Sequence, residues 1–174
     1  MTYSLGHPVN LVASRLALDF VNTADWSSDG IVVHEKLANK ADLSCWLDAV
    51  ALPQAGQPSS LEGLWKFRNE LRDVFVGERR ANLASLQAEL ETIAVTGQRS
   101  IGKQPILGLI AASALSILSD PRELDRVKMC PGDDCGWLFV DETKNRRRRW
   151  CRMETCGNRA KAARHYKRTK QDNR

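Results

Sequence analysis

The sequence predicts a mainly α fold with room for one small β-hairpin. A helical N-terminal body over residues 1–125 is followed by a small C-terminal module over residues 126–174, which holds four cysteines and a basic helix. Three observations carry this reading. Apolar residues recur at three- and four-residue steps through the body. Four of the five cysteines fall in two pairs near the C-terminus. Charge is unevenly divided: residues 1–125 carry 11 Lys+Arg against 15 Asp+Glu, whereas residues 126–174 carry 15 against 6, so the net +5 hides an acidic body and a strongly basic tail.

The first helix is expected in RLALDFVNT, Arg15–Thr23, where one turn brings Leu16 to Phe20 and sets Asp19 beside Asn22 and Thr23. TADWSSDG reads as a polar turn-rich stretch, and IVVH as a short strand or buried connector. From Ala41 the spacing of Leu43, Trp46, Leu47 and Val50 is helical, and ALPQAGQPSS ends it. Leu61, Leu64, Trp65, Leu71, Val74 and Phe75 line one face of a stronger helix, with Ser60 as N-cap and Gly77 near its end.

Leu83, Leu86, Leu90 and Ile93 form another apolar face, and the alternation in TIAVTGQRSI around Gly97 allows the small hairpin. Pro105 opens PILGLIAASALSILS, apolar nearly all round and too short to cross a bilayer, hence the central buried helix. SDPREL caps it and turns into the tail. No stretch reaches the length of a membrane span. The first twenty residues lack the basic region and apolar run of a signal peptide. A cytoplasmic protein without a membrane partner is expected.

The cysteines Cys130, Cys135, Cys151 and Cys156 follow the pattern Cys-x4-Cys, fifteen residues, Cys-x4-Cys. Zinc takes four soft or borderline donors in tetrahedral geometry, and two short chelating loops joined by a spacer supply them. Disulfides are disfavoured in a reducing compartment. A four-cysteine set leaves no open coordination position, so one structural Zn2+ is expected. Metal binding worth on the order of 10–16 kcal/mol would stabilise a tail too short for a large core. Trp137, Leu138, Phe139 and Trp150 are the expected miniature core. Cys45, in the helical run LSCWL, reads as a small buried hydrophobe.

Four thiolates on Zn2+ carry a formal charge of −2, which accounts for a few cations but not for the net +9 of the tail. Asn158 can cap a helix that places Lys161, Arg164, His165 and Arg168 in one stripe, with Arg159 at its start. Ala162, Ala163 and Tyr166 fall on the opposite face, available to pack on the zinc module. A duplex major groove admits such a helix. Arg146, Arg147, Arg148 and Arg149 lie in the spacer, suited to backbone phosphates.

Residues Cys130–Arg168 resemble the CGNR zinc finger of bacterial regulatory proteins. The likeness rests on the four cysteines, Trp137, Phe139, Asp141, Arg149 and Trp150, then Cys-Gly-Asn-Arg at 156–159 with Lys161 and His165. Thr143 and Arg152 depart from the usual serines without removing a ligand. The body is similar to the ABATE domain through LALDFVNT and Ala-Asp-Leu-Ser-Cys-Trp-Leu at 41–47. The resemblance implies a transcription regulator, responsive to stress.

A regulator whose tail binds double-stranded DNA needs a body that senses a small-molecule effector, forms a homodimer, or both. Asp19, Asn22 and Thr23 are the candidate ligand site, with Trp26 and His34 as walls. The competing reading is a buried polar set satisfying helix ends and loop backbone. His7 and His34 are isolated. No Ser/His/Asp set, His-Glu-x-x-His or Gly-rich phosphate loop appears, so an enzyme is not expected. The alternative to a DNA-binding regulator is a zinc-stabilised adaptor whose basic face binds an acidic protein or structured RNA.

Overall fold

Burial of the helix Leu16–Val21 (α1) organises the body. Ala17, Leu18, Phe20 and Val21 are fully buried, and the helix lies against later helices and a C-terminal strand. The structure is a computed structural model describing residues 1–55, 60–77, 87–88, 90–95 and 106–172.

After α1 the chain forms an antiparallel pair, β1 (Ala24–Trp26) and β2 (Val32–Glu35), whose register shifts between Asp25 and Trp26. IVVH is therefore a strand. The stretch expected to be only a polar turn begins with its partner, because Trp26, 2% exposed, is drawn into the core. The turn between them closes with Ser27 N–H donating to Ile31 and Gly30 at φ 79°.

Helix α2 (Lys40–Ala49) is capped by Asn39, whose side chain accepts from Asp42 N–H, and it buries Leu43, Trp46 and Leu47. Helix α3 (Leu61–Val76) begins at the Ser60 cap and ends at left-handed Gly77 (φ 102°), as the sequence indicates. Its buried face also holds Arg68 and Arg72, which apolar patterning does not anticipate. Arg68 grips Glu35 through both guanidinium arms at 2.8 and 2.5 Å, and Arg72 stacks 4.6 Å over Trp26.

Residues 90–95 are helical, with Leu90 and Ala94 buried. Leu83, Leu86, Pro105 and the expected hairpin from Thr96 to Ile101 lie outside the described residues; its opening residues, 92–95, are helical instead. Helix α4 (Ile106–Ser119) is the central buried helix, with Ile106, Ile110, Ala111, Ala114 and Ile117 fully buried. Asp120 caps the short helix α5 (Pro121–Leu124) by accepting from Arg122 N–H at 2.9 Å.

The C-terminal module adds a second antiparallel pair, β3 (Val127–Met129) with β4 (Leu138–Val140), which the sequence reading did not include. All three residues of β4 are buried, and β4 lies against α1. The tail's apolar residues thus join the body's buried cluster, in place of the separate miniature core expected, and Trp150 packs at its edge. Cys45 is half-buried, its thiol 3.6 Å from the Thr2 carbonyl, and so is less enclosed than the sequence reading expects.

Candidate metal centre and basic surface

The two cysteine pairs are placed by two different devices. The first pair sits in the loop joining β3 to β4, closed at its base by Cys130 N–H donating to Trp137 at 2.7 Å. Asp134 and Gly136 take left-handed conformations (φ 49° and 56°), which turn the chain within the loop. Gly132 is needed for close approach: a Cβ there would lie 3.1 Å from Cys156 Sγ. The second pair begins at Cys151, and Met153–Gly157 then forms one wide π-type turn that runs directly into helix α6 (Asn158–Asp172). Cys156 therefore lies inside the first turn of a continuous helix. Asn158 is not a cap; its amide donates to Glu154 C=O at 3.2 Å.

All four thiols are free and buried, and their sulfurs lie within 4.8 Å of one another. Cys151 Sγ is 3.6 Å from both Cys135 Sγ and Cys156 Sγ. That is far beyond a disulfide bond and close to the edge of about 3.8 Å of a tetrahedron with Zn–S bonds of about 2.3 Å. Thiol donors from Cys135 and Cys151 pull the Cys130 thiol well below the ordinary cysteine range. The donor set fits one structural Zn2+. Bound zinc would supply a rigid cross-link between the β3–β4 loop and the start of α6, leaving no site for substrate.

The family model described as CGNR zinc finger matches residues 126–169, which contain these ligands and the start of α6. The ABATE model, described as "Putative stress-induced transcription regulator", matches residues 14–121, more than half of the chain. The chain belongs to the ABATE family. Neither matched family is catalytic. No curated protein matches the chain.

The ABATE body and the CGNR finger share a bonded seam. Asn22 uses both amide atoms on one residue of the finger, donating to Leu138 C=O and accepting from Leu138 N–H, each at 2.8 Å. It thereby completes the edge of β4 that faces away from β3. Trp137 Nε1 donates to Ala24 C=O at 3.0 Å and to the Asp25 carboxylate at 2.8 Å. Trp26 N–H donates to Cys135 C=O at 3.2 Å. Lys36, 4% exposed, pairs with Asp25 and lies 4.6 Å over the Trp137 ring; burial lowers its pKa, opposed by Asp25. A cavity of about 200 Å³ brings Lys36 and the finger's Arg159 to the same face of the cluster as Cys135 and Cys156.

Asp19, Asn22 and Thr23 are all buried, and each side chain is hydrogen-bonded within the protein. Asp19 accepts from Val12 and Ala13 N–H at 2.9 and 3.0 Å, pinning the segment before α1; burial raises its pKa and those bonds oppose the rise. Thr23 Oγ1 donates to Phe20 C=O at 2.7 Å and accepts from Arg68 at 3.2 Å. The trio is therefore dispersed into internal bonds, and Asn22 is part of the seam. His34 Nδ1 lies 3.5 Å from Asp25, and the His7 ring lies 5.6 Å from that of His34, tilted by 46°, so neither histidine is isolated.

The four successive arginines have different surroundings. Arg146 pairs with Asp125. Arg148 is half-buried, 4.4 Å over the Phe139 ring, and donates to the carbonyls of Val12, Val140, Trp150 and Cys151. Arg147 and Arg149 are exposed, and Arg149 lies 5.1 Å over Trp150. On α6, Arg159 reaches Asp133 C=O at 3.4 Å, while Lys161, Arg164, His165 and Arg168 are exposed.

Ala162, Ala163 and Tyr166 are exposed too, Tyr166 at 63%. The face expected to pack on the zinc module does not do so, because α6 leaves the module after its first turn. The sequence reading missed Lys36, Asn10 and Arg152 as seam residues. Arg152 bonds the Asn10 side chain. These contacts span long sequence separations and leave no local pattern.

Proposed function

We propose that this chain is a DNA-binding transcription regulator whose zinc-fixed finger offers α6 to duplex DNA. The observation that carries the reading is the state of that helix. It is held at one end, through Cys156 at the metal centre, and stands exposed from Lys161 to Lys170 with Lys161, Arg164, Lys167, Arg168 and Lys170 on its surface. A cationic helix on a rigid mount meets phosphates and base edges without first ordering itself. Arg164 and Arg168 are assigned to base edges, Arg147 and Arg149 to phosphates. The matched families support a regulatory role in the same direction.

Binding selection with zinc-loaded full-length protein and a random duplex library, in excess non-specific competitor, tests the reading. Enrichment of one sequence is the expected outcome, and a two-fold symmetric site would indicate a dimer. Arg164→Ala should relax choice at one base position, whereas Arg147→Ala should weaken all sequences alike. Absence of salt-sensitive duplex binding would reject the proposal.

A further inference from the structure

We propose that the nucleic-acid surface is composite: residues 9–12 of the body form one wall of a groove that takes the phosphodiester backbone of duplex DNA, opposite Arg147 and Arg149 of the finger. This inference rests on the finger binding DNA and adds a part of the body to that interface. An open groove of about 780 Å³ runs between the two segments and reaches Met153 and Glu154, where the turn leading into α6 begins. The groove thus ends at the turn from which α6 departs.

The groove is built rather than incidental. Its two walls are tied together by Arg148, which donates to Val12 C=O at 3.0 Å on one side and to Cys151 C=O at 2.6 Å on the other. The body wall is held from behind by Asp19 through Val12 and Ala13 N–H. Arg152 adds a bond to Asn10.

The charge pattern favours a polyanion. Among the described residues neither Arg147 nor Arg149 forms an ion pair, although both are exposed at the groove. The opposite wall, Val9 to Val12, carries no charge, so it offers those cations no partner and a phosphate no repulsion. Glu154 is the carboxylate at the rim, with Arg152 facing it at 4.0 Å. Leu11, 43% exposed, lies on the body wall and can be changed without opening the core.

The test compares Leu11→Glu with Leu11→Gln in zinc-loaded full-length protein, using a selected or generic duplex over a salt series. Both variants remove the same apolar surface, and one adds a negative charge. Leu11→Glu should weaken binding about five-fold at low salt, the Coulombic effect of one charge roughly 4 Å from a phosphate in water. Measured against Leu11→Gln, which is neutral at the same position, this loss isolates the added charge, and the gap between the two variants should narrow as salt rises. Arg147→Ala and Arg149→Ala should each flatten the slope of log K against log salt by about 0.9. Equal binding by the two Leu11 variants, with Arg164→Ala still impaired, would overturn the composite groove and leave the DNA-binding reading standing. Failure of the parent protein to bind any duplex would overturn both.

Discussion

Replacing Asn22 by alanine removes the side chain that holds both main-chain groups of Leu138. The two bonds are 2.8 Å long, Asn22 is 3% exposed and Leu138 1%. The Leu138 N–H and C=O point away from β3, and among the described residues Asn22 is the partner of both, so truncation strands a buried donor and a buried acceptor. A stranded polar group costs about 1–3 kcal/mol, and a water entering the vacated space would recover part of that. A loss of about 2–4 kcal/mol follows. For a chain of this length it corresponds to a fall in melting temperature of roughly 5–15 °C.

Thermal and guanidinium unfolding of the zinc-loaded full chain, read by circular dichroism and tryptophan fluorescence, measures it. Asn22→Asp sharpens the test. Its carboxylate still accepts from Leu138 N–H but meets Leu138 C=O oxygen to oxygen, so at neutral pH it should be at least as destabilising as alanine. A loss below about 0.5 kcal/mol in Asn22→Ala would refute the argument. So would two well-separated transitions in the parent protein, because body and finger would then fold independently of the seam.

Metal analysis should find one zinc per chain, abolished by Cys135→Ser or Cys156→Ser. Chelation should lower the melting temperature of the body as well as the finger, because β4 belongs to the body's core. Arg148→Ala should cost about 3 kcal/mol, as it removes charge-assisted bonds to four carbonyls, while Arg147→Ala should leave the unfolding midpoint unchanged.

Gly136→Ala should be among the most damaging small substitutions, about 2 kcal/mol or more by denaturation. Its φ is 56°, and the new Cβ would sit 2.6 Å from Trp26 Cβ, which is fixed in the core. Burial pushes the Asp141 carboxyl up, but Lys128 and Thr143 outweigh it and hold the pKa at about 2. Between that value and the ordinary 3.8 the unfolded chain binds more protons than the native one. Asp141 therefore stabilises the fold above about pH 4, and its contribution is lost as pH falls towards about 2. The stability gap between the parent and Asp141→Asn should close over that interval in acid titrations of both chains.

What was legible in the sequence is what neighbouring residues encode. Ser60, Gly77 and the apolar face between them define α3, and the spacing of Cys130, Cys135, Cys151 and Cys156 defines the metal centre, because chelate loops and helix turns are short-range geometry. The seam was not legible. Asn22 and Leu138 are 116 residues apart, and the partner of Asn22 is main chain, which any residue other than proline would supply in full. Trp26 gave a faint signal as a large apolar residue in a polar stretch. The Ala162, Ala163 and Tyr166 stripe misled, since a helix period shows which residues share a face but not whether anything lies against it.

The run Arg146–Arg149 makes the same point at single-residue scale and explains why the basic surface and the seam belong together. In sequence the four are equivalent. In the fold one is paired with Asp125, one is enclosed by carbonyls from the body and the finger, and two face solvent. The enclosed Arg148 joins residues 9–12 to the loop that ends at Cys151. Motion of that N-terminal segment would therefore move the loop or break a charged, half-buried bond. Zinc fixes the other end of the same loop by holding Cys151 to Cys135 and Cys156. Arg149 lies between these two restraints, one from the body and one from the metal, and Arg147 directly precedes the first. Their placement then depends on both, which gives the body a direct mechanical hold on these exposed charges.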